Sequence, residues 1–179
     1  MTDTESSVPP DTYIRTATHN YVSRRATVEG PSNVELKGKS VLSPGVVVRG
    51  DLAVIRMGRY CTVHRNAVIR PAPMGDKHVP MVLRGNVVIE DNSVVEATAV
   101  GTNVRIGKDC VIGKRVILKD CCWVEDGTVL GDDTVVPPFS RVQGKPGMVV
   151  EELPPSAASD LQDMAQEAYQ DFLKTNPAT

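Results

Sequence analysis

Three histidines and four cysteines are the side chains here with the most obvious chemistry to offer. A histidine can act as a general base near neutral pH, or as one of the three or four ligands a zinc ion needs. His19, His64 and His78 do not cluster, and no spacing among them suits one metal ion. No C-x-x-C pair occurs among Cys61, Cys110, Cys121 and Cys122, so a thiolate zinc site is not expected either. Reduced, buried thiols are the expectation, with the neighbours Cys121 and Cys122 facing opposite ways. No catalytic, cofactor-binding or metal-ligating set is assigned.

The elements that carry these residues follow a period of six. From Ile106 the steps Ile112, Leu118, Val124, Leu130, Val136 and Val142 are all branched aliphatics. Four residues after each of the first six comes a small or β-branched residue: Cys110, Val116, Cys122, Thr128, Thr134 and Ser140. A helix repeats every 3.6 residues and a strand every two, so a period of six means one short strand and one bend, repeated. That is a β-solenoid of hexapeptide repeats. Three units close a triangular coil, and residues eighteen apart stack at about 4.8 Å. The aliphatic and small residues point inward, and Gly, Asp and Asn take the bends. Earlier steps are Leu36, Leu42 and Val48, with Ser40, Val46 and Leu52 as partners; then Met57, Val63 and Ile69, with Cys61 and Ala67; then Leu83, Ile89 and Val95. The register slips between Val48 and Met57 and again near Val100. Five to six coils follow, a prism on the order of 25–30 Å long. His64, next to Val63, is expected to face outward.

Around this body, residues 1–12 read as a loose tail and 13–32 as an irregular N-terminal arm. The solenoid is expected over 33–150, with a loop excursion at 71–81 whose three prolines and glycine break the period. Residues 151–179 read as a helix and tail, the helix capped by Ser159 with Gln162 completing a capping box. Its stripe of Leu161, Met164, Ala165, Ala168, Phe172 and Leu173 should lie along the prism. Aromatics are only 4% of the chain, as a narrow prism demands. A net charge of −2 over 179 residues writes no general attraction to nucleic acid or membrane surface. No signal-peptide pattern and no span-length apolar run is seen. Arg49, Arg56, Arg59, Arg65 and Arg70, with Arg105, Lys108, Lys114, Arg115 and Lys119 further on, are read as a basic face for acidic partners.

Arg49-Gly50-Asp51-Leu52, Ile55-Arg56-Met57-Gly58 and Ala67-Val68-Ile69 resemble the gamma-class carbonic anhydrase family. That family's three zinc histidines would fall on Arg70, Ala97 and Thr102, none of which is histidine. The resemblance implies a shared fold without the reaction, and it makes Arg49 and Asp51 interface residues, which bridge subunits in that family. A divergent anhydrase or a hexapeptide acyltransferase is the enzymatic alternative.

Tyr13-Ile14-Arg15-Thr16-Ala17, Asn20 with Val22-Ser23-Arg24, Gly107 to Gly113, Leu118-Lys119-Asp120-Cys121-Cys122 and Val135 to Phe139 resemble the dynactin subunit 5 family more closely, over residues 13 to about 155. The resemblance implies a left-handed β-helix and a non-catalytic structural and adaptor role at the pointed end of dynactin, in the cytoplasm. Implied partners are dynactin subunit 6, a second β-helix; dynactin subunit 4; a pointed-end actin-related protein; and dynein cargo adaptors, including endosomal ones. Candidate contact residues are Arg49, Asp51 and Arg70 with Met74, Lys77 and His78 of the excursion. No cofactor is implied.

Overall fold

The computed structural model describes residues 12–176. The six-step rhythm becomes a parallel β-helix with three faces. The first face stacks the inward residues Val22, Leu42, Val63, Ile89, Ile106, Val124 and Val142. The second stacks Val28, Val48, Ile69, Val95, Ile112 and Leu130. The third stacks Leu36, Met57, Leu83, Val100, Leu118 and Val136. The second face is a six-stranded parallel sheet, so the prism has about six coils. One cluster of buried side chains runs its whole length, with Cys61, Ala67, Cys110, Val116 and Cys122 filling the space the aliphatics leave.

Two features make the clean part of the repeat regular. Asp120, Asp126 and Asp132 each accept the backbone N–H of a residue one coil below, Thr102, Lys108 and Lys114, all at 2.8 Å. Each carboxylate fills the space where the residue before that N–H would carry a Cβ, so the sequence puts Gly101, Gly107 and Gly113 there. Many corners also turn through a left-handed residue. The bends at Asn66, Asn86, Asn92, Asn103 and Asp109 follow the expected chemistry, but Tyr60, Arg115, Cys121 and Phe139 take the same conformation. Asn and Asp tolerate it most readily; these four are held there by the stack above and below.

Several boundaries depart from the sequence reading. The supposed arm over 13–32 holds the first coil: Tyr21–Ser23 and Thr27–Glu29 pair in parallel with Val41–Leu42 and Val47–Arg49. Only Tyr13–Arg15 is extra, an antiparallel strand on the open edge of Tyr21–Ser23. A 3-10 turn at Pro31–Asn33 stretches the step from Val28 to Leu36 and hides the period. Leu52 lies in a turn and is half-buried, not an inward residue. Met81 is a core residue that opens the strand Met81–Ile89, and the missed inward position is Val100. The excursion is a hairpin, Pro73–Met74 paired with Lys77–His78 around Gly75. The solenoid ends in an antiparallel return, Ser140–Gly144 against Gly147–Glu152, so Glu151 and Glu152 are strand, not helix. Of the expected tail 1–12 only Thr12 is described; its carbonyl accepts the Arg24 N–H at 3.0 Å.

The helix runs over Ala157–Thr175 with Ser156 at its N-cap and no side-chain cap bond. Ser159 is inside the first turn and donates its hydroxyl to the Ser156 carbonyl at 3.0 Å, so the expected capping box is absent. At about 1.5 Å per residue the helix is about 28 Å long, the length of the stack. It lies back across the outside of the first face. Ala157 and Leu161 cover Cys121, Trp123 and Phe139 of the late coils. Tyr169 and Phe172 pack on Tyr13, Tyr21, Val41 and Tyr60 of the early ones. Cys121 therefore faces the helix and Cys122 the core, opposite ways as their adjacency requires. No helix among the described residues is long and apolar enough to cross a membrane.

Candidate interaction surface

All six candidate contact residues lie around one edge of the prism, where the second face turns into the third. Arg49 ends the strand Val47–Arg49, and one coil on Arg70 directly follows the strand Val68–Ile69 of the same second face. Asp51 sits in the turn after Arg49, and the hairpin carrying Met74, Lys77 and His78 leaves the prism after Arg70.

Arg49 donates two hydrogen bonds, from Nε and Nη2, to the two carboxylate oxygens of Asp51, both at 2.9 Å. That pairing, first through its hydrogen bonds and then through the Arg49 charge, holds the Asp51 carboxyl below the usual range. Gly50 between them has no space for a side chain: a Cβ would sit 2.5 Å from Val34 Cγ2 and 2.9 Å from the Glu29 carbonyl. The triplet is thus a closed structural turn. Arg70 pairs with Glu96 of the next coil at 3.2 Å. The hairpin is anchored below by the buried Pro71 and Ala72 and laterally by Arg115, whose Nη1 donates to the Pro73 carbonyl at 2.7 Å. Arg115 is itself fixed by two bonds to Asp133, at 2.7 and 3.1 Å. Met74, at the tip, is 61% exposed, an apolar side chain offered to solvent on a braced arm.

The charged residues read as one basic face do not share a face. Arg56 points out from the third face and pairs with Glu35, Arg59 lies at the corner that follows, and Arg65 at the corner after the first face. Arg105 lies on the first face, in reach of Glu90 and Asp126 and stacked over the Trp123 ring at 4.5 Å. Residues a few positions apart in a solenoid fall on different sides; only those one coil apart stack.

The groups with catalytic potential are dispersed. His64 faces outward beside Glu90, 3.7 Å from its Oε2, at the rim of a cleft of about 380 Å³ under the end of the helix. Arg70 and Ala97 lie near the hairpin corner, while Thr102 lies at the corner between the third and first faces, so the anhydrase ligand positions are neither histidine nor together. No group of three or more His, Cys, Asp or Glu among the described residues converges as metal ligands would. All four thiols are free and buried. Burial pushes Cys61 up to about 12 and Cys122 up to about 11, far from a reactive thiolate.

Comparison with solved structures shows the same architecture. A hexapeptide transferase family protein from Anaplasma phagocytophilum superposes with a TM-score of 0.68 at 18% identity, covering 89% of this chain and 95% of that one. A mutant of AntD, an N-acyltransferase from Bacillus cereus in complex with dTDP and coenzyme A, gives 0.65 at 11% identity, covering 87% and 89%. At these identities the likeness is one of fold: a left-handed parallel β-helix. Sequence comparison is more specific. The dynactin subunit 5 of Dictyostelium discoideum is 40% identical over 171 residues, 93% of this chain and 86% of that protein. The family model for dynactin subunit 5 matches residues 5–177, and the chain belongs to the dynactin subunit 5 family.

Proposed function

We propose that this chain is a non-catalytic structural and adaptor subunit of a dynactin complex, placed at its pointed end in the cytoplasm and supporting dynein-driven transport. The observation that carries the reading is the family match across nearly the whole chain, solenoid and helix together. The site chemistry is in keeping with it. Arg70, Ala97 and Thr102 cannot make a zinc centre, because a guanidinium stays charged and a methyl group has no donor atom.

On this reading the corner of Arg49, Asp51, Arg70, Met74, Lys77 and His78 meets neighbouring subunits. The partners are dynactin subunit 6 as a second β-helix, dynactin subunit 4 and a pointed-end actin-related protein, with dynein cargo adaptors beyond them. Met74 supplies an apolar anchor, and the ion pairs fix the geometry around it.

The test is affinity purification of the tagged chain from cytosol, read by quantitative mass spectrometry. Dynactin subunits should be recovered at constant ratio. Arg49→Glu should lower that recovery while leaving the β-type circular dichroism unchanged, because an ion pair this exposed contributes only about 0–1 kcal/mol to folding. Recovery of the chain alone, or stoichiometric zinc or coenzyme A binding by the purified protein, would overturn the proposal.

A further inference from the structure

The corner between the third and first faces carries a pattern that assembly does not absorb. In three successive coils it holds one long cation beside one glycine: Lys37-Gly38, Gly58-Arg59 and Arg84-Gly85. The ladder stacks position 37 on 58 and 84, and 38 on 59 and 85, so cations and glycines alternate along both columns. The glycines leave a floor without side chains, and the cations stand up from it. Gly58 is enforced by packing, since its Cβ would lie 2.0 Å from the Arg84 carbonyl oxygen. Two adjoining clefts result, of about 280 and 380 Å³, sharing Lys37, Gly58, Arg84 and Thr102. Gln166 of the helix lines one side.

The charges here are unspent. Arg49, Arg70, Arg105, Arg115 and Arg141 all hold a carboxylate. Lys37, Arg59 and Arg84 are exposed and have none within ion-pair distance among the described residues. Arg56 at the margin holds Glu35 loosely at 3.5 Å, both side chains more than half exposed. In a chain of net charge −2, three such cations stacked over one concave glycine floor make a local concentration of positive charge.

We propose that this corner binds an acidic segment of a partner protein, whose carboxylates pair with Lys37, Arg59 and Arg84 across three coils. The proposal rests on the reading of the chain as a subunit that binds other proteins and specifies one such surface. A peptide fits the shape. The cations rise at the rung spacing of about 4.8 Å, close to the roughly 5–6 Å between carboxylates three or four residues apart on a helix. The cleft is walled on one side by Gln166 of the helix, a shape that takes a single extended or helical segment.

The test uses the purified full chain and a fluorescein-labelled dodecapeptide of alternating Glu and Ala, read by anisotropy. Binding should weaken steadily with added salt, and Arg59→Glu with Arg84→Glu should weaken it about tenfold or more. Lys108→Glu with Lys114→Glu, on the other two corners, should leave it unchanged. Should charge reversal disturb folding, Lys37→Gln with Arg84→Gln gives the same reading at smaller amplitude. Equal affinity in the corner variants would overturn the proposal. So would binding of phosphatidylserine vesicles or oligothymidylate in place of the peptide. Peptide binding is read on the isolated chain and subunit recovery on the complex, so the two claims fail separately.

Discussion

At the scale of single residues, the late coils are governed by a pair of positions rather than by one. Asp126 Oδ1 accepts both the Lys108 N–H and a 3.1 Å bond from Arg105 Nη2; Gly107 exists because Asp126 occupies the space above it. Gly107→Ala would push a methyl group to 2.4 Å from Asp126 Oδ1 and 2.7 Å from its backbone nitrogen. Chemical denaturation should show a loss of about 1–3 kcal/mol, the range of overpacking. The carboxyl of Asp126 lies below the usual range, first because of the Lys108 backbone bond; Asp51 and Asp133 are lowered mainly by their arginine partners. A carboxyl whose folded value is depressed stabilises the fold above its unfolded value and loses that contribution as pH falls through the folded one. The urea midpoint should therefore hold from pH 7 to about 4 and drop below it. Asp126→Asn should lower the midpoint at pH 7 and reduce the acid-dependent part of the drop.

At the scale of elements, the stretch from Ile106 to Val142 was legible because each six-residue step there has the same length. Its aliphatic inward residues are all at most 2% exposed, although Thr134, expected to point inward, is only half-buried at the end of the stack. The first coil was not legible, because the turn at Pro31–Asn33 adds two residues to a step and the antiparallel Tyr13–Arg15 precedes it. The hairpin read as a structureless loop because its strands are two residues each and held from outside, by Arg115, rather than by their own pattern. The helix was legible from its apolar stripe, but its cap was misplaced by one turn; the chain enters over Leu153 to Ser156 without a side-chain bond. What the stripe did not show is the aromatic clasp at the far end, where Tyr169 donates its hydroxyl to the His19 carbonyl at 3.0 Å and edges onto Tyr60. Tyr169→Phe keeps the ring contacts and strands that carbonyl. Thermal unfolding should show about 1 kcal/mol lost, with helix content unchanged.

At the scale of the whole molecule, a narrow core fills the inside completely and leaves the outside as the place where function is written. The contact residues expected from the sequence do gather at one corner, yet the basic face expected from the same reading does not exist. Their difference is arithmetic: Arg49 and Arg70 are one coil apart and stack, whereas Arg56, Arg59 and Arg65 fall on successive sides. Lys37 and Arg84 were not joined to Arg59 in the sequence because their coils are 21 and 26 residues long, so no fixed period links them.

The proposed role requires the chain to be a built-in part of a large assembly. Size fractionation of native cell extract, with the endogenous chain quantified in every fraction, tests this most directly. Nearly all of it should run in fractions many times larger than the single chain, together with other dynactin subunits, and a substantial pool running at the size of this one 19.3 kDa chain would contradict the proposed role.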